Sequence, residues 1–189
     1  MSLIDKLQSV HKRPSISMHV PGHKNNTIGE LSNYIKVEHD LTEIPGLDDL
    51  HDPSEVLLDL NAFLSSKAPG YYAQAMVNGT TNGIISSLFY FKDKVKHFYI
   101  VEEAHKSVYH GLSLSDAEYS VITVDELLVT DVTNSCVIFT SPSYSGAILR
   151  RMEEYVKYIR TNQGYSLVDA AHGAHLSITN NFEGSLLES

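Results

Sequence analysis

The sequence predicts an α/β fold, a mostly parallel sheet flanked by helices, and two observations lead there. From Tyr71 onward strand-like runs alternate with helix-period segments, the pattern of βαβ units whose helices cover both faces of a sheet. The apolar run Tyr165-Ser166-Leu167-Val168 then ends in an acid and continues as Asp169-Ala170-Ala171-His172-Gly173-Ala174-His175. A carboxylate at the carboxyl end of a buried strand lies where open α/β sheets bind their ligands.

The elements follow in order. Met1 to Leu7 has the pattern of a short amphipathic helix. Residues 1–51 as a whole read as an N-terminal arm with loops, its turns at His19-Val20-Pro21-Gly22-His23-Lys24 and Ile44-Pro45-Gly46-Leu47-Asp48-Asp49-Leu50, where Gly and Pro interrupt regular structure. Residues 52–189 read as the globular body. It opens at Asp52-Pro53-Ser54-Glu55, where an acidic N-cap and a proline at the first helical position announce a helix. Val56, Leu57, Leu60, Phe63 and Leu64 mark the buried face of that helix. A strand over Tyr72–Val77 leads through Asn78-Gly79-Thr80-Thr81 into a helix carrying Ile84, Ile85, Leu88 and Phe89. Strands at His97–Val101, Tyr119–Val124, Cys136–Thr140 and Tyr165–Asp169 follow, with helices near His105–Leu114 and Leu149–Arg160.

Composition sets the outer limits. A chain of 189 residues is long enough to bury a real core. With 14 Lys+Arg against 23 Asp+Glu the formal charge is -9, which repels a nucleic-acid backbone or an anionic membrane. Neither is expected as a partner. The N-terminus has no signal-peptide apolar region and no run reaches membrane-spanning length, so the expectation is a soluble, cytoplasmic protein. The single cysteine, Cys136, sits inside Ser135-Cys136-Val137-Ile138-Phe139 and is expected in the core.

In such a sheet the strand-to-helix turns gather at one edge. Four turns are therefore expected around one pocket: Asn78 to Thr81, Ala104 to Ser107, Thr140 to Gly146, and Asp169 to His175. Gly79-Thr80-Thr81 joins backbone N–H donors, two hydroxyls and the positive end of a helix dipole, which suits a phosphate group. The same turn also reads as a threonine N-cap with a glycine for its φ angle. Asp169, desolvated at a strand end, requires a hydrogen-bonding or cationic partner: a protonated ring nitrogen of a cofactor, or a structural cap or salt bridge. His172 is placed to reach the same pocket, and His175 reads as a core or supporting residue. No metal is expected, because His172 and His175 lack H-E-x-x-H spacing and thiolate neighbours, and Pro21-Gly22 break any helix between His19 and His23. A metal-dependent hydrolase built on Asp169, His172 and His175 is the weaker alternative.

With these turns in hand, the sequence resembles the Orn/Lys/Arg decarboxylase family, the bacterial pyridoxal 5'-phosphate (PLP)-dependent basic amino-acid decarboxylases of the aspartate aminotransferase fold. The matching segments are His19 to Lys24, Leu41 to His51, Val77 to Thr81, His105-Lys106-Ser107, Ser141-Pro142-Ser143-Tyr144, and Val168 to His175. They stand in family order and at family-like spacing along nearly all of the chain. The resemblance implies an incomplete large domain of a fold-type I PLP enzyme. It implies Gly79, Thr80 and Thr81 as the cradle of the PLP phosphate, His105 stacked on the pyridine ring, and Asp169 paired with the pyridinium nitrogen. His172 would donate to the phenolic oxygen, and Ser141 and Ser143 would line the pocket.

The resemblance further implies lysine, arginine or ornithine as substrate and a homo-oligomer, or association with a full-length relative, as the assembly. The family's Schiff-base lysine lies in a Ser-x-His-Lys segment downstream of the Asp-to-His string. No such segment precedes Leu186-Leu187-Glu188-Ser189, and Lys24 and Lys106 belong to other motifs. The expectation is a decarboxylase truncated before that lysine and inactive as an isolated chain, or else a non-catalytic remnant or split-enzyme half that associates with another subunit. Ala170 for the family's Glu, Asn25-Asn26 for glycine and Leu176 for an aromatic point to relaxed constraint on the site.

Overall fold

The computed structural model describes residues 2–12, 16, 18, 39–67 and 70–173. The expected turn at His19–Lys24, and Ala174, His175 and Leu176, lie outside the described residues. By its contacts the chain divides into two compact units, Met1–Ala75 and Met76–Ser189.

In the first unit, α1 (Leu3–His11) begins with a reciprocal cap: the Ser2 hydroxyl accepts the Asp5 N–H, and the Asp5 carboxylate accepts the Ser2 N–H. This arrangement satisfies two of the amides a helix start leaves open. α2 (Val56–Ser66) starts later than the Asp52-Pro53 signal suggests, and its cap residue Glu55 makes no side-chain bond. Asp48 takes over that role. Its Oδ1 accepts the N–H groups of Asp49 (3.0 Å) and Ser54 (2.9 Å), and its Oδ2 those of Glu55 (2.8 Å) and Leu57 (2.9 Å). Desolvation pushes this carboxyl up, but the backbone donors outweigh it and hold it well below the ordinary carboxylate range.

Two expectations fail here. Phe63 is 57% exposed, lying under the Lys67 ammonium rather than in a core. Tyr72–Val77 forms no strand, because α2 side chains answer its amides: Asn61 Oδ1 accepts the Ala75 N–H at 2.8 Å and Ser65 Oγ accepts the Ala73 N–H at 2.9 Å. With those donors satisfied, nothing requires a ladder partner.

The second unit carries the predicted α/β architecture. Its elements are α3 (Gly79–Lys92), β1 (His97–Val101), α4 (Lys106–Leu114), β2 (Tyr119–Ile122), α5 (Val124–Leu127), β3 (Ser135–Thr140), α6 (Met152–Thr161) and β4 (Tyr165–Asp169). The four strands form one parallel sheet in the order β2-β1-β3-β4. Alternation along β3 organises the core. Cys136 and Ile138 pack with Phe98 and Ile100 of β1 under Ile84 and Leu88 of α3 and Val108 and Leu112 of α4. Val137 and Phe139 face the opposite layer, with Leu127 of α5 and Met152, Tyr155 and Ile159 of α6. Each such side chain, taken fully out of water, contributes roughly 1.5–3 kcal/mol. Cys136 is a core residue as expected, and burial pushes its thiol up to about 12.

Some boundaries move for local reasons. β2 ends at Ile122 rather than Val124 because Thr123 caps α5, its hydroxyl accepting the Glu126 N–H while Glu126 accepts the Thr123 N–H at 2.7 Å. α6 begins at Met152, after a loop that follows β3. From β2 the chain crosses back past β1 to form β3, so the direction of winding reverses between β1 and β3. A crevice at the carboxyl ends of the strands follows from that reversal. Among the described residues no helix is long and apolar enough to cross a membrane.

Two predictions test this framework. A Cβ at Gly164, just before β4, would stand 2.8 Å from the Val132 carbonyl oxygen and 2.9 Å from Ile159 Cγ2. Gly164→Ala is expected to cost roughly 1–3 kcal/mol in urea denaturation, and an unshifted midpoint would refute the close approach. Asp48→Ala is expected to lower stability and α2 helicity at pH 7. Because the folded carboxyl titrates below its unfolded value of about 3.9, its contribution is complete above that pH and is lost as pH falls through the folded value. The gap between wild type and variant should therefore narrow in acid; a constant gap would show that the charge is not what matters.

Candidate functional site

At the carboxyl edge of the sheet a cleft of about 130 Å³ is lined from four directions. Thr80 and Thr81 come from the first turn of α3, and His105 and Ser107 from the start of α4. Thr140 ends β3 and Tyr144 stands in the loop after it; Asp169, Ala171 and His172 follow β4. Five of the eight site residues expected from the sequence, Thr80, Thr81, His105, Asp169 and His172, thus meet in one place.

At α3, the cap residue Asn78 is left-handed (φ 69°) and makes no side-chain bond to the helix start. The first-turn amides therefore have no side-chain acceptor, and they sit at the positive end of the helix. Gly79 is not a lining residue; its φ of 70° favours glycine, and nothing lies within 4 Å of where a Cβ would stand. That leaves open space beside the helix start.

Asp169 is 5% exposed and paired in register with Thr140. Its Oδ1 accepts the Ala171 N–H at 3.1 Å, which closes the turn toward His172. Its second oxygen has no partner among the described residues. Beside it, the Thr140 hydroxyl is buried with no hydrogen-bond partner. Buried polar atoms left open in this way are uncommon and call for an explanation.

His105 caps α4: its Nδ1 accepts the Ser107 N–H at 3.2 Å and lies 2.7 Å from the Ser107 hydroxyl. Its ring stacks on Tyr144, with centroids 5.9 Å apart and planes 27° apart. Tyr144 in turn meets His172 edge-on at 6.0 Å. Both spacings lie in the range of favourable aromatic pairing.

The two serines expected in the pocket are placed elsewhere. Ser141 is buried behind the cleft, its Oγ accepting the Leu149 N–H and its own N–H donating to the Asp169 carbonyl at 3.1 Å. It ties the ends of β3 and β4 together. Ser143 lines a neighbouring cleft with Glu102 and Glu103, and that cleft shares Thr140 with the first. Tyr144, Thr140, Ser107 and Ala171 line the cleft from within the turns expected there, although the sequence assigned none of them a role of its own. Thr140 had a readable signal, a hydroxyl ending an otherwise apolar strand. Gly173 allows the turn to close on the loop, since a Cβ there would fall 2.5 Å from Pro142 Cδ.

No family model matches the sequence. The chain is 28% identical, over 94% of its length, to the uncharacterized protein YaaO of Bacillus subtilis, of which it covers 41%. It is 22% identical, over 87% of its length, to an arginine decarboxylase of Bacillus cereus, of which it covers 40%. The chain thus spans about two fifths of the length of these curated relatives. Among solved structures, OvoB matches with a TM-score of 0.50 and 12% identity over 89% of this chain and 41% of that one. A serine palmitoyltransferase from S. paucimobilis with a bound PLP–myriocin aldimine matches with a TM-score of 0.50 and 14% identity over 88% of this chain and 37% of that one. The fold is that of fold-type I PLP-dependent enzymes over the part that aligns.

The orphaned Thr140 hydroxyl yields a prediction. Replacing it with a methyl group of the same shape removes a buried polar atom that has no partner. Thr140→Val is expected to leave stability unchanged or raise it by up to about 1 kcal/mol, read by urea denaturation. A substantial loss would mean that the hydroxyl already has a partner in the protein.

Proposed function

We propose that this cleft binds pyridoxal 5'-phosphate, and that the chain supplies the phosphate- and ring-binding side of a PLP-dependent decarboxylase of a basic amino acid. The observation that carries the reading is Asp169: a buried carboxylate with one oxygen unpaired, lining the same cleft as the uncapped first turn of α3. Arginine is the substrate supported by the relatives' names.

The residues present fit the cofactor. A buried anion without a cation asks for a positive partner, and a protonated pyridine nitrogen is one. At the α3 end, free amides and the Thr80 and Thr81 hydroxyls suit a phosphate dianion. The imidazole of His105 offers a flat face, and the Thr140 hydroxyl an unused hydrogen bond. When bound, PLP supplies an electron sink for the charge left at Cα as carbon dioxide departs.

The protein's own contribution is binding and charge placement. Asp169 holds a proton on the ring nitrogen, since a carboxylate beside it favours the charged form. Thr80, Thr81 and the α3 amides anchor the phosphate end, His105 fixes the tilt of the ring, and His172 is the donor toward the phenolic oxygen. Tyr144, 59% exposed and in contact with both histidines, limits water access from the open side. Among the described residues no lysine lines the cleft, and Lys106 beside His105 is exposed at the start of α4. We propose noncovalent binding and no turnover by this chain alone. A second reading, association with another subunit, is supported by the edge strand β2, whose Tyr119 and Val121 are exposed on the same side of the strand.

Pyridoxamine 5'-phosphate, which has the ring and phosphate but no aldehyde, is the probe for this reading. Wild type should bind it, and Asp169→Asn should weaken binding roughly ten- to a hundredfold, measured by calorimetry. With PLP itself, borohydride should fix no lysine at the cleft, and arginine should yield no agmatine. Equal affinity in Asp169→Asn would overturn the site; a cleft adduct with agmatine release would overturn the inactivity.

A further inference from the structure

We propose that Ser107 is a positioning residue that fixes His105 as the neutral imidazole with its proton on Nε2. The ring then presents an uncharged face and a single donor to the cleft, and no base. The consequence for ligand binding rests on the PLP reading above, whereas the arrangement of the two side chains stands apart from it.

The argument starts from one nitrogen. A backbone N–H only donates, and the Ser107 N–H is directed at His105 Nδ1 at 3.2 Å. Nδ1 therefore accepts and carries no proton, so the proton of the neutral ring belongs to Nε2. The Ser107 hydroxyl lies 2.7 Å from the same Nδ1, and with that nitrogen unprotonated the hydroxyl is the donor. Two donors from one residue converge on one lone pair. Ser107 is 1% exposed, so water does not compete for its hydroxyl. His105 Nε2 has no protein acceptor among the described residues and is left for the cleft.

Capping alone does not account for this choice. Ser, Thr, Asp and Asn are the favoured caps and need no ring to do it. A histidine at this position spends Nδ1 on α4 and keeps its face, which already stacks on Tyr144. Placing a proton on Nδ1 would break the bond from the Ser107 N–H and reverse the contact with the hydroxyl, which would then accept from the ring. The resulting cation would face a ring nitrogen that Asp169 keeps positive, like charge against like charge. A neutral imidazole stacks on such a ring without that repulsion. Ser107 thus acts through His105.

The test reads the ring nitrogens directly. In protein labelled with ¹⁵N-histidine, long-range ¹H–¹⁵N spectra distinguish the two tautomers, and His105→Phe assigns the signals. Wild type is expected to show the Nε2–H form, and Ser107→Ala to move both ring-nitrogen resonances toward tautomer averaging. Ser107→Ala should also weaken pyridoxamine 5'-phosphate binding roughly three- to tenfold, and should have no further effect in the His105→Phe background. An Nδ1–H form in wild type, unmoved resonances in Ser107→Ala, or effects of the two substitutions that simply add would each overturn the proposal. Nε2–H in wild type that Ser107→Ala disturbs, with no binding of the probe, would support the positioning and overturn the PLP reading instead.

Discussion

Burying both faces of β3 at once dictates the layout of the second unit. Cys136 and Ile138 need a helix layer on one side, and Val137 and Phe139 need another on the other. A parallel strand satisfies its amides only through neighbours on both edges, which β1 and β4 provide. Helices must then connect parallel strands over the top of the sheet, so every strand delivers its carboxyl end to the same side. The cleft is a consequence of this packing.

Inside the sheet, apolar contact and backbone ladders leave little polar chemistry unmet. The situation changes within one residue. Thr140 follows Phe139 and stands in register with Asp169, and at that level an unpartnered hydroxyl and a half-used carboxylate appear side by side. Ser141 then links the two strand ends through the Asp169 carbonyl. Unmet polar atoms in a well-packed core would be a defect costing stability. Gathered at the one edge where strands, loops and a helix start converge, they leave hydrogen-bonding capacity on the wall of a single cleft.

The fold class was legible because long apolar and helix-period segments obey a period that packing must respect, and Tyr165–Asp169 was read to the residue for that reason. Asp169, His172, His105 and the two threonines were legible because turns between strand and helix share an edge. Three kinds of feature were hidden. Tyr72–Val77 has strand-like residues, but side chains of a helix earlier in the chain, Asn61 and Ser65, supply the acceptors, and no local pattern reports that. The Tyr144 contacts depend on how a loop folds back toward His105 and His172. The places of Ser141 and Ser143 depend on which way two nearby hydroxyls face: one is spent on the Leu149 N–H and the other lines the neighbouring cleft.

Asp48 and Asp169 show why residue type alone does not identify a site. Both are acids in motif-like segments, and both lie where the chain turns into or out of a regular element. Asp48 takes four backbone N–H groups and is held strongly ionised by them. Its lone pairs are spent on the start of α2, and it has little left for a ligand. Asp169 is more deeply buried yet takes a single N–H, which leaves its second oxygen without a protein partner among the described residues. What separates the two carboxylates is the number of donors already engaged. The same count divides His105, whose Nδ1 is engaged by Ser107 while Nε2 has no protein partner among the described residues.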